Sequence, residues 1–291
     1  MPARLILNAD DFGLTPGINR AIGELNSAGV LSSATLMANG AAFDDAVAVT
    51  RAHPNLGVGC HIVLTDGLPV SPPASIPSLI GPDGKSFRPS LIGFIRALVL
   101  GRIHTEDVVR ESYAQIEKLQ RAGIRITHLD THKHTHLFPA IARCILDVAT
   151  GAAIPAIRNP FEPNWSLALN HGSTSRRIAI KLMDRLRPSF NALPQIRSSR
   201  VLTTGGTIAI SSTGQFDGPT LAQLLAALPP EGIYELCCHP GYNDADLDRV
   251  RTVLRAHRDV ERQALLAEVP RVLTHPNAPT LVNYASLAPP A

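Results

Sequence analysis

The strongest constraint on how this chain can fold is an alternation of two patterns along its length. Short apolar, β-rich runs occur at 5–8, 33–38, 57–64, 125–130, 153–158 and 233–239. Stretches with helical spacing lie among them at 17–28, 41–53, 106–122, 138–149, 176–186, 219–228 and 246–268. Strands separated by helices cannot be joined by hairpins, so the pattern predicts βα units and a parallel sheet. An open doubly wound sheet and a closed barrel both satisfy it. The clearest helix is predicted over 106–122, with Thr105 as N-cap, Val109, Tyr113, Ile116 and Leu119 near helical spacing, and Gly123 as its stop. Residues 68–90 carry six prolines, so this stretch is neither helix nor central strand, and a loop of that length is expected to be functional or mobile.

Composition narrows the class. Of 291 residues, 45% are hydrophobic and 18% charged, which excludes a disordered chain. No internal repeat or polar linker divides it, so residues 1–291 are read as a single domain with insertions at about 68–103 and 160–200. A net charge of +3, from 27 basic against 24 acidic residues, is too balanced for nucleic acid to be the main partner. Cys60, Cys144, Cys237 and Cys238 lack CxxC spacing, and the first apolar run reads as a strand rather than a signal segment, so a cytoplasmic protein without disulfides is expected. The apolar run 91–100 is interrupted by Arg96 and falls short of the roughly 20 residues that span a bilayer.

Polar clusters stand at the ends of the apolar runs, where the βα loops of a parallel fold collect functional residues. After Leu5-Ile6-Leu7 come Asn8-Ala9-Asp10-Asp11-Phe12-Gly13: one carboxylate can bind a cation while its neighbour acts as a base, although an Asx turn capping the next helix is the plainer alternative. His61 sits inside Gly57-Val58-Gly59-Cys60-His61-Ile62, where a hydrogen-bonded core histidine is the competing interpretation. The segment 127–136 holds four histidines, and if it is extended, alternation puts Asp130, His132, His134 and His136 on one face. Tyr234-Glu235-Leu236-Cys237-Cys238-His239-Pro240-Gly241 is a further run ending in histidine. Together these clusters offer a carboxylate and two imidazoles to one metal, with positions left open for water and substrate.

On Asn8–Gly13, Gly59-Cys60-His61, Thr127-His128-Leu129-Asp130-Thr131-His132 with the histidines after it, and Cys238-His239-Pro240, the sequence resembles the YdjC-like family of metal-dependent carbohydrate deacetylases. The stretch Leu64-Thr65-Asp66-Gly67-Leu68-Pro69-Val70 is similar to the branch associated with hopanoid biosynthesis, which acts on an N-acetylglucosaminyl hopanoid lipid. The resemblance implies a TIM-like (β/α) barrel, distorted or seven-stranded, with its site at the C-terminal ends of the strands. It implies Asp11, His61 and His132 as metal ligands, Asp10 as general base and His239, in protonated form, as general acid. Asp130 and His134 are then candidates for orienting His132, with His136 a further candidate at the site. One divalent ion is expected: Mg²⁺ by resemblance, Zn²⁺ or a similar ion by the chemistry of two imidazoles and a carboxylate.

Residues 151–200 carry eight basic and two acidic side chains. Within them Ile178, Ala179, Leu182, Met183 and Leu186 are predicted to share one helical face, with Arg177, Lys181 and Arg185 on another, as in a helix that rests on anionic lipid or simply packs on a core. The expected partner is an N-acetylated amino sugar, lipid-linked or a soluble oligosaccharide, with peripheral membrane contact and a homodimer as further expectations. Two other classes use the same three ligands: a non-haem iron oxygenase and a metal-stabilised sugar-binding module.

Overall fold

The computed structural model describes residues 3–169 and 174–287. Seven strands pair in parallel: β1 (Arg4–Phe12), β2 (Ser33–Leu36), β3 (Gly57–Ile62), β4 (Ile126–Thr131), β5 (Thr207–Ile208), β6 (Ile233–Cys238) and β7 (Thr280–Leu281). Their order is β4-β3-β2-β1-β6-β5, with β7 on the β1 edge at Arg4 and Leu5, below the point where β2 takes over at Asn8. The sheet curls as a half-barrel. The eighth strand of a complete TIM barrel is not among the described residues. The run 153–158, expected as a strand, contributes only isolated bridges, Ile157 to Leu129 and Ala156 to Leu202. Ala153 at φ 55° and Pro155, which has no N–H to donate, prevent a regular ladder there.

Helices α1 (Pro16–Ser27), α2 (Phe43–Ala52), α3 (Leu91–Val99), α4 (Thr105–Arg121) and α5 (Pro139–Gly151) follow the first strands. Shorter pieces come next: α6 (Asn164–Ala168), α7 (Thr174–Met183), α8 (Arg187–Asn191), α9 (Pro194–Arg197) and α10 (Gly218–Ala226). The helix expected over 246–268 is two, α11 (Ala245–Asp248) and α12 (Ala256–Leu273). The break is held by Arg255, whose guanidinium donates to the carbonyl oxygens of Leu247, Asp248 and Val250 and so occupies the open end of α11. At α4, Thr105 is the first helical residue and His104 the cap position, without a side-chain cap.

Alternation along the strands divides the sheet into two chemically different faces. Leu5, Leu7, Ala9, Ala34, Leu36, Val58, Cys60, Ile62, Leu129, Leu236 and Cys238 belong to the main core beneath the helices. The opposite parity is polar: Asn8 and Asp10, Thr35, His61, His128 and Asp130, Thr207, and Glu235 and Cys237, all buried. Ile6, Ala156 and Tyr284 form a small apolar plug below this polar layer. Tyr284 stacks on His128 at 3.7 Å, which accounts for that histidine as scaffold.

The Pro-rich stretch is pinned rather than loose. On α4 a buried polar stripe faces it: Glu111 accepts from the backbone N–H groups of Val70 and Ser71, Asp107 from that of Ser78, and Gln115 bonds Val63 through both N–H and carbonyl. These bonds satisfy amides of a stretch whose regular structure is limited to a 3₁₀ turn at Pro73–Ser75 and an isolated bridge between Ile80 and Phe87.

Candidate metal centre and the charged floor beneath it

A regular strand would send Asp10 and Asp11 to opposite faces. Here the β1–β2 register slips between Ala9 and Phe12, and Asp11 takes φ 63°, so both carboxylates reach the same end of the sheet. His61 on β3 is the direct cross-strand partner of Asp130 on β4. His132 follows the last residue of β4, and His239 the last residue of β6. Asp10, Asp11, His61, His132 and His239 all line one cleft.

Asp11, His61 and His132 converge. His61 Nε2 and His132 Nδ1 stand 3.3 Å apart, and Asp11 Oδ1 lies 3.8 Å from the first and 3.5 Å from the second. Bonds of about 2.0–2.2 Å put neighbouring donors of a four-coordinate ion roughly 3.3–3.6 Å apart, so the spacing and donor chemistry fit one divalent cation. Asp130 Oδ1 receives His61 Nδ1 at 2.7 Å, which leaves Nε2 to face the ion position. Asp130 therefore orients His61, not His132 as the sequence implied. Asp10 also approaches Cys237 and His239, and His61 and Asp130, in two other close groups. Both of its oxygens are already engaged by an arginine.

That arginine is Arg158, fully buried and in contact with three carboxylates. It donates to Asp10 at 2.6 and 2.8 Å, to Glu235 at 2.5 and 2.8 Å, and lies 2.7 Å from Asp130. Glu235 also accepts from Tyr284 and Thr207. Burial pushes the Asp10 carboxyl upward, but Arg158, with His61 and His239, overrides this and holds it well below the usual range. Burial likewise raises Asp11, against Arg258 and His132, which hold it low. In His239, burial with the charges of Arg258 and Arg158 outweighs Asp10 and Asp11 and lowers the ring to about 4. His239 is thus neutral at rest, not protonated.

The histidine-rich segment is not extended. After Thr131 it becomes a 3₁₀ turn, His132–Leu137, with Lys133 and His134 in left-handed conformation, so the expected common face of Asp130, His132, His134 and His136 does not form. His134 lines the cleft, whereas His136 is buried between Thr131 Oγ1 and the carbonyl oxygen of Arg158. Lys133 pairs with Asp66 across the cleft rim. Arg158, Glu235, Arg258 and Glu261 were not singled out from sequence. The available signal for the first two is a charged residue inside an otherwise apolar β-run.

The cleft encloses about 1520 Å³. Its walls are mainly apolar, with Ile95, Ile180, Met183, Ile210 and Leu254, and its rim carries Val253, Ile92 and Leu68, which are 92%, 80% and 61% exposed. The apolar face predicted for residues 176–186 is divided: Ala179 and Met183 line the cleft while Ile178 and Leu182 face outward, and the Arg177 side chain lies outside the described set.

The charge pattern sets a pH response for the ion-free protein. Burial lowers His61, but Asp130, Asp10 and Asp11 raise it to about 9. A raised histidine contributes stability that is complete below its unfolded value near 6.5 and is lost as pH rises through 9. Glu261 at about 7 and His239 at about 4 titrate lower. Thermal unfolding of chelated protein should therefore show stability falling between pH 7 and 9 by about 3 kcal/mol at most, and His61→Gln should flatten that slope. An equal slope in His61→Gln would assign it elsewhere.

The family profile described as YdjC-like protein matches residues 4–273. A carbohydrate deacetylase of Brevibacillus brevis is 42% identical over 158 residues, 54% of this chain and 60% of that protein, and one of Geobacillus stearothermophilus is 39% identical over 59% of its length. Matches to these two relatives thus cover about three fifths of each. A carbohydrate deacetylase of Thermoanaerobacter pseudethanolicus aligns over 97% of this chain and 98% of its own, at 26% identity. Among solved structures, an Enterococcus faecalis protein proposed to act in cellobiose-phosphate cleavage superposes with a TM-score of 0.79, at 25% identity, over 99% of this chain and all of that one.

Proposed function

The chain belongs to the YdjC-like family, and from that premise we propose that it is a divalent-metal-dependent hydrolase. It removes the N-acetyl group from an N-acetylglucosamine unit carried on an apolar, hopanoid-type aglycone. The observation that carries this reading is the meeting of Asp11, His61 and His132 beside a carboxylate outside the ligand triad, Asp10, in an apolar-walled cleft.

Amide hydrolysis needs an activated water, a stabilised oxyanion and a proton for the departing amine. Asp11, His61 and His132 would hold the ion, which when bound would supply the first two. Asp10, fixed by Arg158, receives the water's proton. His239 Nε2 is 3.9 Å from Asp10 Oδ2 and neutral at rest, so the proton it delivers to the amine is the one Asp10 has taken. Two imidazoles favour Zn²⁺ or another transition ion over Mg²⁺.

The exposed apolar rim of Leu68, Ile92 and Val253 supports the lipid-linked substrate over a soluble N-acetylated oligosaccharide, which calls for a polar cleft. No described helix is long and apolar enough to cross a membrane. If the substrate is drawn from a bilayer, the exposed apolar side chains of α3 and α7, Ile92, Val99, Ile178 and Leu182, are the surface that meets it. Metal-loaded protein should be incubated with an N-acetylglucosaminyl hopanoid and with soluble chito-oligosaccharides. Mass spectrometry should show loss of one acetyl group from the lipid at the higher rate, with acetate released and no oxygen consumed. Preference for the soluble sugar removes the lipid assignment. Oxygen consumption without acetate points to an oxygenase, and binding without turnover to a sugar-binding module.

A further inference from the structure

We propose that α12 positions the reactive centre from behind, with Glu261 fixing His239 and Arg258 fixing Asp11. Both residues are about 1% exposed, which is costly for charged side chains unless each has a partner. Each has a site residue among its partners. Glu261 Oε2 accepts the backbone N–H of His239 at 2.5 Å and stands 4.0 Å from its ring Nδ1, the side of the imidazole opposite Asp10. Arg258 Nη2 donates to Asp11 Oδ2 at 2.5 Å, which leaves Oδ1 as the oxygen turned toward His61 and His132.

The two contacts are one turn of helix apart and held in register by the chain itself. Gly241 donates its N–H to the carbonyl oxygen of Arg258, and a Cβ at Gly241 would meet Arg258 Cδ at 3.2 Å and Ile18 Cγ1 at 2.9 Å. The turn after His239 therefore lies directly on α12. Leu265 and Val269 anchor the helix to the main core farther along. The charged groups acting on His239 are Asp10 and Asp11 from β1, Arg158 from the segment after α5, and Arg258 and Glu261 from α12. A carboxylate behind the ring fixes its direction relative to the amine, and an arginine on one carboxylate oxygen selects which oxygen meets the ion.

The Glu261 half rests on the deacetylase reading, whereas the Arg258 half needs only metal binding, so the two can fail separately. Folded Arg258→Gln and Arg258→Lys proteins, checked by circular dichroism, are titrated with Zn²⁺ in the absence of substrate. Affinity should fall about 10- to 100-fold in the Gln variant and less in the Lys variant. Wild-type affinity in Arg258→Gln overturns that assignment. Glu261→Gln should keep Zn²⁺ affinity and KM within about twofold while kcat falls about 10- to 100-fold, with partial recovery in Glu261→Asp. Unchanged kcat overturns it. If wild-type protein releases no acetate from any N-acetylated sugar, the function reading fails instead, and ¹⁵N spectra of the His239 ring decide the positioning: a shift in Glu261→Gln or Glu261→Asp supports it, and identical spectra overturn it.

Discussion

Asp10→Asn should purify with the same metal content as the wild-type protein and lose nearly all turnover. The asparagine keeps the shape of the side chain and one acceptor oxygen for Arg158, so the floor of the cleft remains assembled. What it cannot do is take up a proton. A positioned base contributes about 10²- to 10⁴-fold in rate, and kcat should fall by that factor with KM little changed. Asp11 is the control. It sits one residue away and equally buried, yet faces His61 and His132, so Asp11→Asn should lose the ion first and activity as a consequence. Metal analysis beside acetate release separates the two variants, and equal metal loss in both would erase the division of labour between these adjacent carboxylates.

Arg158→Met should produce the largest loss of stability. The substitution fills much of the same volume but leaves Asp10, Asp130 and Glu235, all buried, facing one another without a cation. Breaking a buried charge pair by removing one partner costs about 3–5 kcal/mol, a large share of the roughly 5–15 kcal/mol that stabilises a typical domain. The melting temperature should drop by roughly 5–20 °C. The pH dependence identifies the cause. Without Arg158 the three carboxylates bind protons more readily in the folded protein, so the deficit should shrink as pH falls and widen as it rises. A deficit independent of pH would point to lost packing instead.

The parallel sheet was legible because alternating strands and helices impose it, and β1 to β4, β6 and most helices lie within a few residues of their predicted places. The missed elements include the two-residue strands β5 and β7, too short to show a period, the helices α3, α6, α8 and α9, three of them only four or five residues long, and the gap before α12, made by the side chain of Arg255 rather than by a local breaker. Motif placement pointed to Asp11, His61 and His132, which the chain does bring together. The polar layer behind them was not legible. Arg158 and Glu235 interrupt apolar runs, and their parity with Asp10 and His239 matters only once the sheet has curled. Arg258 and Glu261 were harder still, because charge on a helix reads as a solvated face, and only packing shows that this face of α12 turns inward. The histidine-rich segment misled for a local reason: left-handed Lys133 and His134 end the alternation that would have aligned its side chains.

Anomalous diffraction from crystals soaked in Zn²⁺ addresses the metal centre most directly. One strong peak should appear at about 2.0–2.2 Å from Asp11 Oδ1, His61 Nε2 and His132 Nδ1, with Asp10 still bound to Arg158 and outside the ion's ligands. No peak there, or a peak held by Asp10, Cys237 and His239 instead, would contradict it.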